Sequence, residues 1–264
     1  MKALLPQWSG RRPVIGMVHL LPLPGAPRFG GDVGPIRDAA LRDADALAAG
    51  GVHGIMMENF GDVPFYPVQV PAVVVAHVTA IAAEIRRRVD LPLGINVLRN
   101  DGRSALAVAH AVGAAFIRVN VLSGARVTDQ GIVQGIAHDL LRERAQLGAT
   151  NVKILADVDV KHSAPLAPRP LVDEVNDTIE RGLADAVILS GAGTGKSTDP
   201  QHVRTVKDAA GKTPVFIGSG IIAATVEQFE AADGFIVGTA FKSDGDPGKP
   251  VEVGRVKALV AALG

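Results

Sequence analysis

The chain has 264 residues, 47% of them hydrophobic, with 27 basic and 27 acidic side chains and a formal net charge of zero. That length suits one (β/α)₈ domain with a substantial core, and the neutral balance excludes a protein that wraps nucleic acid, which needs a clustered positive surface. A single small anionic metabolite stays admissible as partner. Cysteine is absent, so there is no disulfide framework. The opening Met1 to Pro6 is broken too early for a signal peptide, so the expectation is a cytoplasmic protein.

The first strand is expected over Val14 to Val18 and ends on His19, ahead of the proline-rich Leu20 to Gly25. Histidine is the usual proton carrier near neutral pH, so His19 is a catalytic candidate, the plainer alternative being a stiff loop. Ile36, Ala40, Asp43/Ala44 and Leu47 then mark one face of a helix over Ile36 to Ala49, stopped by Gly50-Gly51. The strand Gly54 to Glu58 is apolar until its last residue. A carboxylate at that depth is more often functional than decorative, although an ion pair with Arg118 would explain Glu58 structurally. Asn59 and Asp62 follow. The most apolar stretch, Val70 to Ala83, contains His77 and Thr79 and falls short of the roughly 20 residues that span a bilayer. It reads as part of a buried helix over Pro71 to Val89, with no membrane insertion.

Strands over Leu93 to Leu98 and Ala115 to Val119 flank a helix over Ser104 to Val112; they bring Asn96 with Arg99, and Arg118 with Asn120. A helix is expected over Ile132 to Leu147, then a strand over Val152 to Asp157. Asp157, Asp159 and Lys161 alternate with Val158 and Val160, so a period of two points all three polar groups to one side. A lysine between two carboxylates stays protonated, as an electrostatic or general-acid group; a Schiff-base role needs a depressed pKa, which those carboxylates oppose. A salt-bridge cluster is the structural alternative, and His162 extends the row.

After a helix over Leu171 to Leu183 and a strand over Ala186 to Leu189 comes Ser190-Gly-Ala-Gly-Thr-Gly-Lys-Ser197. A P-loop needs glycine where Ser190 stands, and here the segment follows the sixth strand of a repeating series. It reads instead as a βα loop closing over a ligand, with Thr194 and Gly195 against it. A helix over Pro200 to Ala210 leads to the strand Val215 to Ile217, which stops at Gly218-Ser219-Gly220. A helix over Ala224 to Ala232 leads to the strand Phe235 to Val237, which stops at Gly238-Thr239, and a helix over Val251 to Leu263 closes the series.

Eight strands alternating with helices, without a composition shift, argue one α/β domain over residues 1–264, a single TIM barrel. Closure leaves no sheet edge to protect, which favours it over an open doubly wound sheet. Residues just after each strand then line one mouth: His19, Glu58, Asn59, Asp62, Asn96, Arg118, Asn120, Asp157, Asp159, Lys161, His162, Ser190, Ser219 and Thr239. Pro13, Pro92 and Pro214 open strands at the other end. The loops after strands seven and eight are a frequent phosphate cradle, because glycine lets backbone N–H groups approach an anion closely; that assigns Gly218, Ser219, Gly220, Gly238 and Thr239. No cofactor is specified. A divalent metal has oxygen and nitrogen ligands on offer from His19, Glu58, Asp62, Asp157, Asp159 and His162, with no tight spacing to make the site specific.

Gly16-Met-Val-His-Leu20 with Pro22-Leu-Pro-Gly25, Glu58-Asn-Phe-Gly-Asp-Val-Pro-Phe65, Phe116-Ile-Arg-Val-Asn120, Asp157-Val-Asp-Val-Lys-His162, Thr194-Gly195 and Gly218-Ser-Gly220 together resemble the BtpA/SgcQ family over nearly the whole chain. The resemblance implies a (β/α)₈ barrel. It carries a name tied to biogenesis or stability of photosystem I in photosynthetic members, while the SgcQ branch is associated with sugar metabolism.

Two classes of function follow. One is an enzyme acting on a phosphorylated sugar or ribosyl metabolite, as isomerase, lyase or aldolase, or glycosyl-bond hydrolase. There the glycines hold phosphate, Lys161 and Asp157 handle protons or charge, and Glu58 or His19 is the acid/base partner. The other is a non-catalytic assembly factor for a membrane complex, which needs an exposed partner surface that a chain with only 4% aromatic residues does not advertise. Pairing of barrels through their helices into a homo-oligomer is compatible with either.

Overall fold

In the computed structural model, described over residues 3–191 and 198–263, the strands β1 (Val14–His19), β2 (Gly54–Glu58), β3 (Leu93–Asn96), β4 (Phe116–Val119), β7 (Lys153–Val158), β9 (Ala186–Leu189), β10 (Val215–Ile217) and β11 (Gly234–Val237) close into a parallel barrel. Closure is made by β1 against β11. Around it run α1 (Gly34–Gly50), α2 (Ala72–Arg88), α3 (Gly102–Val112), α4 (Ala137–Gln146), α5 (Leu171–Asn176), α6 (Pro200–Ala210) and α7 (Val253–Ala261). α5 runs on into a π-helical turn at Asp177–Arg181.

The main apolar layer lies between barrel and helices, where Ala40, Ala44 and Leu47 of α1 or Ile81 and Ile85 of α2 meet outward-facing strand residues such as Val14 and Ile55. A second cluster fills the barrel itself. Period two along each strand sends Ile15 and Met17, Met56, Phe116, Leu155, Ala186 and Ile188, Phe216 and Ile236 inward. Large and small residues alternate around this interior: a Cβ at Gly94, paired with Phe116 in register, would stand 2.0 Å from the Phe116 ring. The bottom is stoppered by the first residues of the chain. Trp8 is buried there, edge-to-face with Phe116 at 5.9 Å between ring centroids, and its indole N–H donates to the His53 carbonyl at 2.9 Å. The carbonyls of Pro13, Pro92 and Pro214 accept from neighbouring strands at this same end.

Two expected helices come out differently. Ile132 does not begin a helix: β5 (Ala125–Thr128) and β6 (Gly131–Gln134) form a hairpin, joined by β8 (Ser163–Pro165) in a small antiparallel sheet beside the barrel, and α4 starts only at Ala137. The apolar pair Ile132-Val133 belongs to this strand, and Asp129 to Gly131 make the turn. The expected helix over Ala224 to Ala232 is reduced to a 3₁₀ turn at Val226–Phe229. Nothing acts as a side-chain N-cap there, consistent with the weak capping sequence before Thr225.

Candidate active site at the barrel mouth

One step above the apolar interior, the same inward rows turn polar. His19 pairs in register with Glu58, Glu58 with Asn96, and Asn96 with Arg118; Asp157, Ser190, Gly218 and Gly238 complete the ring from β7 and the ends of β9, β10 and β11. Strand period and barrel closure therefore gather residues more than 200 positions apart in sequence.

The floor is an ion pair. Arg118 donates through Nε and Nη2 to the two Asp157 oxygens at 2.9 and 2.7 Å, and the side chains are only 3% and 0% exposed. Asn120 adds a hydrogen bond from Nδ2 to Asp157 Oδ2 at 2.6 Å. Arg118 therefore pairs with Asp157 and not with Glu58, which accepts instead from Asn96 Nδ2 at 2.6 Å.

Asp157, Asp159 and Lys161 do not form the expected single row, because β7 ends at Val158 and the next residues turn. Asp159 and His162 have φ of 48° and 56°, in the left-handed region that non-glycine residues enter at a cost. Glu174 holds this turn by accepting from the Asp159 N–H at 2.9 Å. The Asp159 carboxylate is 52% exposed and pairs with Arg126 of the hairpin at 2.6 Å. Lys161 returns to the mouth, where its carbonyl accepts from Arg99 at 2.7 Å. Desolvation, then the charge of Arg118, push its amine below the usual lysine value, against the opposing pull of Glu58 and Asp157. Of the two carboxylates expected beside it, Asp157 is paired with Arg118 and Asp159 with Arg126.

His19 stacks on Phe60 with centroids 4.4 Å apart and planes 19° from parallel. Its Nδ1 lies 3.3 Å from the Pro247 carbonyl, an acceptor only, which assigns the proton to Nδ1 and leaves the Nε2 lone pair free to accept. Desolvation pulls its pKa down to about 4, with Glu58 acting in the opposite sense. Near neutral pH this imidazole is uncharged, with Nε2 available as a hydrogen-bond acceptor.

Two cavities share this mouth. The first, about 220 Å³, is lined by Gly218, Ser219, Gly220, Gly238, Thr239 and Ala240 together with His19, Glu58, Arg118 and Lys161. A Cβ at Gly218 would press on Ile188 Cγ2 at 2.8 Å and Ser190 Oγ at 3.0 Å, and Gly220 has φ +69°, so both positions suit glycine. The N–H groups of Gly220, Thr239 and Ala240 make no backbone hydrogen bond among the described residues. Arg255 of α7 reaches the rim of this cavity. The second, about 500 Å³, shares Glu58, Phe60, Arg118 and Lys161 with the first and adds Val63, Phe65, Leu98, Arg99, Asn120, Asp129 and His162.

Other expected site residues lie elsewhere. Asn59 accepts from the Leu98 N–H at 2.7 Å and donates to Asp62, which also accepts from the Leu23 N–H at 2.8 Å. The pair ties three βα loops together beside the mouth, and burial raises the Asp62 pKa. The six candidate metal ligands do not converge: among the described residues no three His, Cys, Asp or Glu side chains form a metal-holding group. Thr194 and Gly195 lie outside the described residues. Sequence reasoning missed Phe60, Phe65 and Arg255, which carry no periodic signal; only the Phe60 and Phe65 positions inside the Glu58 to Phe65 motif could have marked them.

The BtpA family model matches residues 10–264. The photosystem I biogenesis protein BtpA of Synechocystis is 48% identical over 98% of this chain and 91% of its own length. An uncharacterised protein of Thermococcus kodakarensis is also 48% identical, over 95% of this chain and 94% of its own. Among solved structures, thiamine phosphate pyrophosphorylase from Pyrococcus furiosus superposes with a TM-score of 0.59 at 14% identity, covering 96% of this chain and 95% of that one. Phosphoribosyl anthranilate isomerase from Thermus thermophilus does so with a TM-score of 0.56 at 12% identity, covering 95% and 98%. At such identities the likeness is one of fold. No helix among the described residues is long and apolar enough to cross a membrane.

Proposed function

The chain belongs to the BtpA family, and from its barrel mouth we propose an enzyme acting on a phosphorylated sugar. The observation that carries this reading is that two unlike sets of groups line one cavity. One set is the backbone of Gly218 to Gly220 and Gly238 to Ala240, where the N–H groups of Gly220, Thr239 and Ala240 have no backbone acceptor among the described residues, and the other is Lys161, Glu58 and His19. Backbone donors suit a phosphate, and Arg255 at the rim adds positive charge. A phosphate fixed there sets the sugar carbons beside these side chains, so remote binding energy is converted to positioning.

The chemistry these side chains support best is proton transfer. His19 offers Nε2 as an acceptor, Glu58 is a carboxylate held by Asn96, and Lys161 is an amine whose pKa burial lowers. Such a set takes a proton from carbon or hydroxyl and returns one to a neighbouring oxygen. Isomerisation beside a carbonyl and cleavage next to it both fit. The Arg118–Asp157 pair works underneath as a fixed electrostatic base plate.

A second reading, a non-catalytic assembly factor, rests on the name of the Synechocystis relative. Incubation of the purified protein with aldose and ketose phosphates, followed by proton exchange and product formation in NMR, separates the two. The enzyme reading expects exchange or conversion that Lys161→Ala abolishes while unfolding stays unchanged. No exchange with any phosphorylated sugar would favour the assembly role.

A further inference from the structure

The cradle cavity, about 220 Å³, is smaller than the roughly 300–1,000 Å³ of ordinary small-molecule sites. It holds a sugar phosphate and little more. Its neighbour is more than twice as large and opens from the same four residues, Glu58, Phe60, Arg118 and Lys161. The reactive groups therefore stand at a junction between two chambers, not at the end of one.

The second chamber differs in chemistry. Phe60, Val63, Phe65 and Leu98 give it an apolar wall, and no glycine cradle is present in it. Asn120 is 4% exposed, its Nδ2 is committed to Asp157, and its Oδ1 is buried with no donor among the described residues. Because the amide cannot turn without losing the bond to Asp157, this oxygen is a fixed acceptor. A buried acceptor left unmet costs roughly 1–3 kcal/mol, so it calls for a ligand N–H.

Building on the phosphosugar reading, we propose that the substrate is a sugar phosphate bearing a flat, mainly apolar ring with an N–H donor, of nucleobase type. The phosphate occupies the glycine cradle, the ring occupies the Phe60–Phe65 chamber with its N–H on Asn120, and the bond joining sugar to ring lies over Lys161 and Glu58. Arg99, Asp129 and His162 also line the chamber, but the apolar wall beside the Asn120 acceptor favours such a ring over a second sugar, which would bury hydroxyls against Phe60, Val63, Phe65 and Leu98.

Calorimetric titration tests this with ribose 5-phosphate, the adenosine, guanosine, uridine and cytidine 5′-monophosphates, and the four nucleosides. At least one monophosphate is expected to bind tenfold or more tighter than ribose 5-phosphate, and the matching nucleoside tenfold or more weaker than its monophosphate. Val63→Asn, at an exposed lining position, and Phe65→Ala are expected to remove most of the ring's gain and to leave ribose 5-phosphate within threefold. Ribose 5-phosphate binding with no gain for any monophosphate overturns the ring assignment and leaves the phosphosugar reading in place. A gain untouched by both variants also overturns the chamber assignment. Binding of neither ribose 5-phosphate nor any monophosphate overturns both readings together.

Discussion

Replacing His19 by asparagine gives a direct check on the electrostatics of the mouth. Asn keeps an N–H for the Pro247 carbonyl and removes the titration. In the folded protein the imidazole pKa falls from 6.5 to about 4; at about 1.4 kcal/mol per tenfold change in proton affinity, this is worth about 3 kcal/mol. The sign is set by which state binds the proton. Above pH 6.5 the imidazole is neutral in both states and contributes nothing pH-dependent. Between 6.5 and about 4 the unfolded chain takes up a proton that the folded one refuses, so stability falls as the pH falls. Below about 4 both states are protonated and the loss levels off. Urea unfolding of wild type and His19→Asn at pH 7, 5.5 and 4 cancels every other titrating group in the difference. Wild type should lose about 3 kcal/mol more than the variant between pH 7 and pH 4. Parallel stability curves would refute the argument, by showing an imidazole that reaches water and titrates normally.

Asp157→Asn leaves Arg118 buried without a counter-charge and should cost about 3–5 kcal/mol in urea unfolding, with Arg118→Met in the same chain recovering most of it; a loss below about 1 kcal/mol would mean the pair is solvated. Trp8→Ala removes the stopper under the barrel and should cost about 3–5 kcal/mol without changing ligand affinity, measured by unfolding and titration together. Arg255→Gln, at a rim position already paired with Glu252 at 2.8 Å, should weaken sugar-phosphate binding severalfold and flatten its dependence on salt, while unphosphorylated sugars show no change.

The barrel was legible because its strands are bounded by punctuation and its inward rows obey a period of two. Ile15, Met17 and His19, or Met56 and Glu58, fall on one side by counting alone. Counting failed where the strand ended: β7 stops at Val158, and the left-handed Asp159 and His162 send Asp159 to Arg126 of the hairpin and bring Lys161 back to the mouth. The hairpin itself was hidden because two four-residue strands are too short to show alternation, and Ile132-Val133 also fits a helical stripe. Likewise Arg118 pairs with Asp157 on the adjacent β7 and not with Glu58 on β2, two strands away, and no local pattern encodes which mouth side chains meet. The second chamber was invisible for a related reason. Phe60, Val63 and Phe65 sit on a non-periodic loop whose path is set by Asn59 and Asp62 bonding to other loops.

The central claim is that the mouth is built for a phosphorylated sugar, and a thermal-shift titration tests it most directly. Paired ligands, sugars and nucleosides with and without phosphate, are added with and without magnesium, manganese or zinc. A phosphorylated ligand at about 100 times its Kd should stabilise the fold by roughly 2.7 kcal/mol, about 5–10 °C for a domain near this size, while its dephosphorylated partner gives a much smaller shift. Equal shifts within every pair, or none at all, would contradict the phosphate cradle and turn attention to partner capture.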